Sequence, residues 1–304
     1  MNLGNKVVYQ IYPKSFQDTN SDGIGDLKGI IKHLDYLEEL GVDYIWITPF
    51  YVSPQNDNGY DIADYRNIDP MYGTMEDFDL LVKEAAKRNI YLMMDMVFNH
   101  CSTRHEWFQK ALKGDPYYRD FFIFKKGKNG LPPTNWESNF GGDAWSYLPE
   151  TDEYYLHLFH VTQADLNWDN PNVRQACYDI VNFWIDKGVK GFRFDVINLI
   201  SKTGVYEDDL TGNGKKYYTD GPRIHEYLQE LNRNTFGRYD DIITVGEMSS
   251  TTLENSIRYS NPASHELSMI FSFHHLRIDY PSGNKWEIQP FRFHDLKKNL
   301  FTWQ

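Results

Sequence analysis

The chain has 304 residues, 41% hydrophobic and 16% aromatic, enough for a large core on the scale of the roughly 250 residues of one α/β barrel. Its formal charge of −12, from 43 acidic and 31 basic residues, repels phosphate backbones and anionic headgroups, so neither nucleic acid nor membrane is an expected partner. No basic segment followed by an apolar one opens the chain, and no apolar run reaches the ~18 residues of a membrane span.

Two cysteines, Cys101 and Cys177, lack metal-like spacing and fit reduced thiols, so a soluble cytoplasmic protein is expected. The 22 Tyr and 8 Trp lean toward a sugar site, because aromatic rings stack on the apolar faces of sugars and their polar tips hydrogen-bond in a wet cleft.

Short apolar runs alternate with amphipathic stretches, the pattern of a parallel sheet wrapped by helices. The first strand is expected at Val7–Tyr12, followed by a helix near Leu27–Leu40 with Leu27, Ile30, Ile31, Leu34 and Leu37 at helical spacing. Gly41 stops that helix. A second strand at Tyr44–Thr48 ends at Pro49. The next helix, about Met75–Arg88, has Thr74 as N-cap and Asp77 in its first turn. The third strand, Ile90–Met96, runs into Asn99 and His100.

From about Cys101 to Trp168 the rhythm breaks into a stretch rich in aromatics, Gly, Pro and Asn, too long for a plain loop and read as an inserted subdomain. Alternation resumes with a helix at Val173–Lys187, a strand at Gly191–Val196, a helix at Pro222–Phe236 and a strand at Ile242–Glu247. A sixth strand is expected at Leu267–Phe273 and a last helix at Phe291–Trp303. Six βα units result, where eight close such a barrel. The expectation is therefore an incomplete barrel, unstable and essentially inactive as a separate polypeptide, since its open edge exposes strand and apolar helix surface.

Three strands turn abruptly polar at their last residues: Asp95-Met-Val-Phe-Asn99-His100, Gly191-Phe-Arg193-Phe-Asp195-Val196 and Thr244-Val-Gly-Glu247-Met-Ser. The C-terminal strand ends of a parallel barrel surround its active site, so these carboxylates should converge. Strand alternation puts Arg193 and Asp195 on one face. An arginine beside Asp195 is expected to hold it ionised, as suits a nucleophile. Glu247 has no sequence-adjacent cation, so burial is expected to raise its pKa, as suits an acid catalyst.

Earlier in the chain, Asp18-Thr-Asn20-Ser-Asp22-Gly23-Ile24-Gly-Asp26 places oxygen side chains at positions 1, 3, 5 and 9 with Gly at 6. That pattern matches the first part of an EF-hand-type loop, in which Ile24 would offer its carbonyl. Position 12 is Gly29 rather than a bidentate Glu, and a polar turn is the other reading of the same residues.

In sequence, order and strand context these segments resemble the signature regions of the α-amylase family of glycoside hydrolases. Gln163-Ala-Asp-Leu-Asn-Trp168 and Asp57-Asn-Gly-Tyr60-Asp61 are similar to further regions of its oligo-1,6-glucosidase branch. The resemblance covers essentially the whole chain and implies a (β/α)8 TIM barrel, here 1–100 and 169–304, with a small B domain inserted at 101–168. It implies Asp195 as nucleophile and Glu247 as acid/base, roughly 5–5.5 Å apart as in retaining enzymes. Asp57, Tyr60, His100, Phe159 and Arg193 would bind the sugar. It also implies structural Ca2+ at Asp18, Asn20, Asp22, Ile24 and Asp26, with no organic cofactor. The family's strand-borne His-Asp motif with a third carboxylate and its C-terminal β-domain are not expected within these 304 residues; His294-Asp295 falls in the expected last helix.

Val196 resembles enzymes of this branch that act on α-1,6 or trehalose-type bonds. Gly246-Glu-Met-Ser-Ser-Thr-Thr252, Phe271-Ser-Phe-His-His-Leu276 and Thr219-Asp-Gly-Pro-Arg-Ile-His225 are similar to the members that cleave α,α-trehalose 6-phosphate to glucose and glucose 6-phosphate. Such a substrate needs cations near the leaving sugar, and Arg223, Arg277 and Lys285 fall in strand-following loops where they could bind phosphate, with His274 and His275 as further donors. Hydrolysis of isomaltose-type sugars is the alternative. A catalytically inactive binding subunit is the alternative of another class, and it would lack the carboxylates that are present here.

Overall fold

The computed structural model describes residues 3–280, 287 and 289–303. Six strands form one sheet: β1 (Val8–Ile11), β2 (Tyr44–Ile47), β3 (Tyr91–Val97), β4 (Gly191–Asp195), β5 (Ile243–Met248) and β6 (Met269–Ser272). All neighbours are parallel, and their order in space is their order in the chain. A doubly wound sheet reverses its strand order at a switch point. This one never does, as in a sheet that curls steadily into a barrel. These are six consecutive strands of a (β/α)8 barrel.

The helices form where the apolar spacing puts them. One exception is the stretch expected as a single helix at 27–40, which is two, α1 (Leu27–Lys32) and α2 (Leu34–Glu39). The break falls at His33 (φ −106°, ψ 11°), whose Nε2 lies 3.1 Å from Gln17 Oε1 and whose ring meets Phe16 edge-on at 5.4 Å. Tertiary contacts with the segment after β1 thus override the helical spacing. Gly29 permits the same approach, since a Cβ there would sit 2.1 Å from the Gln17 carbonyl oxygen.

Helix α3 (Met75–Ala86) starts on a full capping box between Thr74 and Asp77 and buries Phe78, Leu81 and Ala85. Helix α4 (Pro171–Asp186) opens with Pro at its first position behind the Asn170 cap and buries Val173, Cys177, Ile180, Val181 and Trp184. Their apolar faces meet at Phe78 and Trp184, ring centroids 5.0 Å apart, with Phe50 alongside. Helices α5 (Ile224–Asn234), α6 (Leu253–Ser260) and α7 (Phe293–Trp303) follow β4, β5 and β6.

Between β3 and α4 the chain leaves the barrel rhythm. It builds a three-stranded antiparallel sheet from Phe124–Lys125, Trp145–Leu148 and Glu153–Leu156. His100–Ser102 pairs antiparallel with Gln163–Asp165, tying the start of this excursion to its end. Both cysteines are buried and free. Among the described residues no helix is long and apolar enough to cross a membrane.

Candidate active site

At the C-terminal ends of β3, β4 and β5 one guanidinium gathers three carboxylates. Arg193 lies opposite Asp95 in the β3–β4 register and opposite Val245 in the β4–β5 register, so Glu247, two residues further along β5, falls on the same face. Arg193 Nη1 donates to Asp95 Oδ1 at 2.5 Å and to Asp195 Oδ1 at 2.8 Å, while Nη2 contacts Glu247 Oε2. The rings of Trp46, Tyr60 and Phe271 surround it, with Cζ 5.1, 5.6 and 5.9 Å from their centroids. Trp46 and Tyr60 also donate to Asp95 Oδ2, at 3.0 and 3.1 Å.

A cavity of about 490 Å³ opens above this cluster. Its lining includes every residue expected to bind or cleave the sugar: Asp57, Tyr60, His100, Phe159, Arg193, Asp195 and Glu247. Gln163 Nε2 donates to Asp57 Oδ2 at 2.9 Å and lies 3.1 Å from His100 Nε2. The His100 and Phe159 rings meet at 5.2 Å. The loop carrying Asp57 is held by buried Asp61, which accepts from the backbone of Asn56 and Asp57 and from Ser53.

The electrostatics depart from the sequence expectation at Asp195. Burial raises Asp195 to about 7; Arg193 pulls it down but also serves Asp95, which pushes it up. A cation adjacent on the strand is therefore not enough to keep the group at the ordinary carboxylate value. Glu247, which has no cation beside it in sequence, meets one in the fold, because strand pairing brings Arg193 to it from β4. Burial, opposed by Gln163, also raises Asp57, and burial lowers His100 to about 4, leaving its imidazole neutral.

Several lining residues were not singled out from the sequence, among them Gln10, Tyr12, Trp46, Phe140, Phe271 and Phe273. Asp95, one of the strand-end carboxylates expected to converge, does so, and the β3–β4 register shows that it pairs with Arg193. Val196, directly after Asp195, has φ +36°, a strained conformation for a β-branched residue that turns the chain out of β4 at the site.

Of the residues expected to bind phosphate, Arg223 and Arg277 are not among those lining the cavity. Arg223 is held by Glu226 and Asp169. Arg277 is exposed and donates to the carbonyl of Ser249, two residues past Glu247. His274 stacks on Trp303 at 4.2 Å, His275 is exposed, and Lys285 lies outside the described residues.

In the expected metal loop, Asp18 accepts the backbone N–H groups of Asn20, Ser21 and Gly23, which keep its carboxyl below the ordinary range. Asp22 accepts from Ile24 and Asn20. Asp26 turns to Thr19 and to Gly29 as the cap of α1. The donor set fits a cation in part, with Asp18, Asn20, Asp22 and the Ile24 carbonyl in the loop and Asp26 committed elsewhere. Among the described residues no three His, Cys, Asp or Glu side chains converge closely enough to hold a metal.

Paired carboxylates at the C-terminal strand ends of a parallel barrel sheet form an arrangement that glycoside hydrolases use. The family model for the catalytic domain of alpha amylase matches residues 10–304, and the chain belongs to that family.

Within it, the chain is 58% identical over 300 residues to the trehalose-6-phosphate hydrolase of Bacillus subtilis (strain 168), covering 98% of this chain and 53% of that protein. It is 56% identical to the Escherichia coli (strain K12) enzyme of the same name, covering 99% and 54%. An oligo-1,6-glucosidase of Parageobacillus thermoglucosidasius is 52% identical, covering 98% and 54%. The crystal structure of Bacillus licheniformis trehalose-6-phosphate hydrolase superposes with a TM-score of 0.95 at 58% identity, covering 99% of this chain and 54% of that one. The chain thus spans about half the length of these relatives.

Proposed function

We propose that the protein is a retaining α-glucosidase that hydrolyses α,α-trehalose 6-phosphate to glucose and glucose 6-phosphate. The carrying observation is that Asp195 and Glu247 come from adjacent strands to one guanidinium at the base of one cavity. The two trehalose-6-phosphate hydrolases, at 58% and 56% identity, favour this substrate over the isomaltose-type sugars of the 52% relative.

Glu247 donates a proton to the glycosidic oxygen as Asp195 attacks the anomeric carbon, releasing one sugar and leaving a glucosyl ester on Asp195. Water, deprotonated by Glu247, then cleaves the ester. Asp57, Tyr60, His100, Phe159 and Arg193 hold the glucose ring.

The decisive experiment assays the full-length protein on trehalose 6-phosphate and isomaltose side by side. Preferential turnover of the first, lost in Asp195→Asn, supports the reading; preference for isomaltose moves it to the oligo-1,6-glucosidases. For the phosphate we favour Arg277, exposed, donating to the carbonyl of Ser249 and without an acidic partner among the described contacts, over Arg223, whose charge is matched by Glu226 and Asp169. Arg277→Ala should raise KM for trehalose 6-phosphate far more than for an aryl glucoside.

We assign residues 101–168 to an inserted B domain between barrel parts 1–100 and 169–304. The loop at Asp18–Asp26 is a structural Ca2+ site in this reading, and a melting temperature unmoved by chelator rejects it. A phosphorylated sugar as substrate and two free thiols suit a reducing cytoplasm.

A further inference from the structure

Beneath the sugar-binding wall lies a buried charged network that none of these roles uses. Lys202, seven residues past Asp195 in the loop after β4, is almost fully enclosed, with a side-chain exposure of 4%, and it pairs with Asp165, whose side chain is at 0%. Its ammonium lies 2.8 Å from Asp165 Oδ2 and 2.9 Å from Asn99 Oδ1. Asn99 Nδ2 donates to the same Asp165 oxygen at 3.1 Å and lies 3.3 Å from His100 Nδ1. The other Asp165 oxygen accepts the backbone N–H of Leu158 at 2.9 Å, next to Phe159.

We propose that Lys202 is a positioning residue, whose ammonium fixes Asn99 and Asp165 and through them sets His100 and Phe159 against the bound sugar. An ammonium only donates, so it admits one orientation of the Asn99 amide: oxygen to Lys202, nitrogen toward Asp165 and His100. Gln163 presents its amide nitrogen to the other ring nitrogen of His100, and that orientation is fixed as well, since Gln163 Oε1 accepts from His160 N. An imidazolium, with N–H on both nitrogens, would oppose a donor on each side, whereas the neutral ring accepts on one side and opposes a donor on the other only. The network therefore holds His100 in its neutral form.

Burial and the Lys202 charge act in the same direction, against two nearby carboxylates. Burial lowers it most; Asp165 and Asp61 raise it and Lys202 lowers it, with Asp57 one amide away through Gln163. Removing Lys202 leaves the Asp165 carboxylate buried beside His100 without its cation, so the imidazole should take up a proton more readily.

The inference rests on the proposed sugar site, and its test separates the two. Histidine side chains of the protein are labelled with 13C and titrated by NMR, His100 being assigned with His100→Gln. In Lys202→Met the His100 titration should move from about 4 toward the ordinary 6.5. KM for an aryl α-glucoside at pH 6 should rise about tenfold, the scale expected when an orienting outer partner is lost. Lys202→Arg should restore both in large part, and Lys202→Met combined with Asp165→Asn should return the titration downward, because the uncompensated charge is gone. An unmoved His100 titration in Lys202→Met, with only a lower melting temperature, would overturn the proposal. So would a KM unchanged at pH 6. Wild-type protein that cleaves no α-glucoside would count against the proposed function, while the titration would still decide what Lys202 does to His100.

Discussion

Replacing Asp195 by Asn removes a buried charge while keeping the shape of the side chain, and the structure fixes how that should change stability with pH. Burial raises Asp195 from the ordinary 3.8 to about 7. A carboxyl raised in the fold is protonated there over a range where the unfolded chain is already ionised. Stability from this group is therefore intact below about pH 4, falls as pH rises toward 7 and stays low above it. Three pKa units correspond to about 4 kcal/mol at most. Asn mimics the protonated form and escapes the penalty, but Arg193 loses one of three acidic partners and keeps Asp95 and Glu247. A net gain of about 2–3 kcal/mol above pH 7 remains after that discount. In melting temperature it is on the order of 3–5 °C for a domain of this size. Melting curves of both proteins from pH 4.5 to 8.5 measure it, each pH being its own control for the other titrating groups. The variant should match or trail the wild type near pH 4.5 and exceed it above pH 7, while hydrolysing nothing. A difference independent of pH, or an Asn variant less stable at pH 8, would refute the placement of this charge.

Two further outcomes follow from the same coordinates. The ratio kcat/KM should fall as pH drops through about 7, because Asp195 must lose its proton to attack; Arg193→Gln should push that limb to higher pH, since Arg193 is the group that lowers Asp195. Thr74→Ala should cost about 1 kcal/mol in chemical denaturation by removing the capping box of α3, with no change in KM, because Thr74 does not line the cavity.

Much of the site is legible in the sequence because the catalytic strands carry their own signal. In β3, β4 and β5 an apolar run becomes polar at the last residues, and period-two alternation then places Arg193 beside Asp195. What the sequence does not carry is pairing. Arg193 meets Asp95 across 98 residues and Glu247 from the neighbouring strand, so the cation beside Glu247 is visible only once the β4–β5 register is known. Lys202 shows the same blindness: a lone lysine after a strand reads as a solvated charge, and only folding brings Asn99 and Asp165 around it. The 27–40 helix failed for a related reason, since Gln17 and Phe16 capture His33 from another segment. Apolar periodicity reports which face is buried and is silent about what lies across it.

The excess of carboxylates over cations in the cavity is then a functional quantity and not an imperfection of packing. Asp95, Asp195 and Glu247 share Arg193, and Asp57 adds a further acid at the cavity wall. Glycosidic cleavage develops positive charge on the sugar ring, and preorganised negative groups in a water-poor site stabilise that charge without reorganising when it appears. The same excess makes ionised Asp195 costly in the resting fold and repels a phosphate from the inner cavity. Under the proposed function, a phosphorylated substrate would bind with its plain glucose inward and its phosphate outside the inner cavity, the role proposed for Arg277, which donates to the Ser249 carbonyl. Arg277→Glu should consequently abolish discrimination in favour of trehalose 6-phosphate over unphosphorylated trehalose while leaving kcat for an aryl glucoside near its original value. A variant that retained the preference would place the phosphate elsewhere.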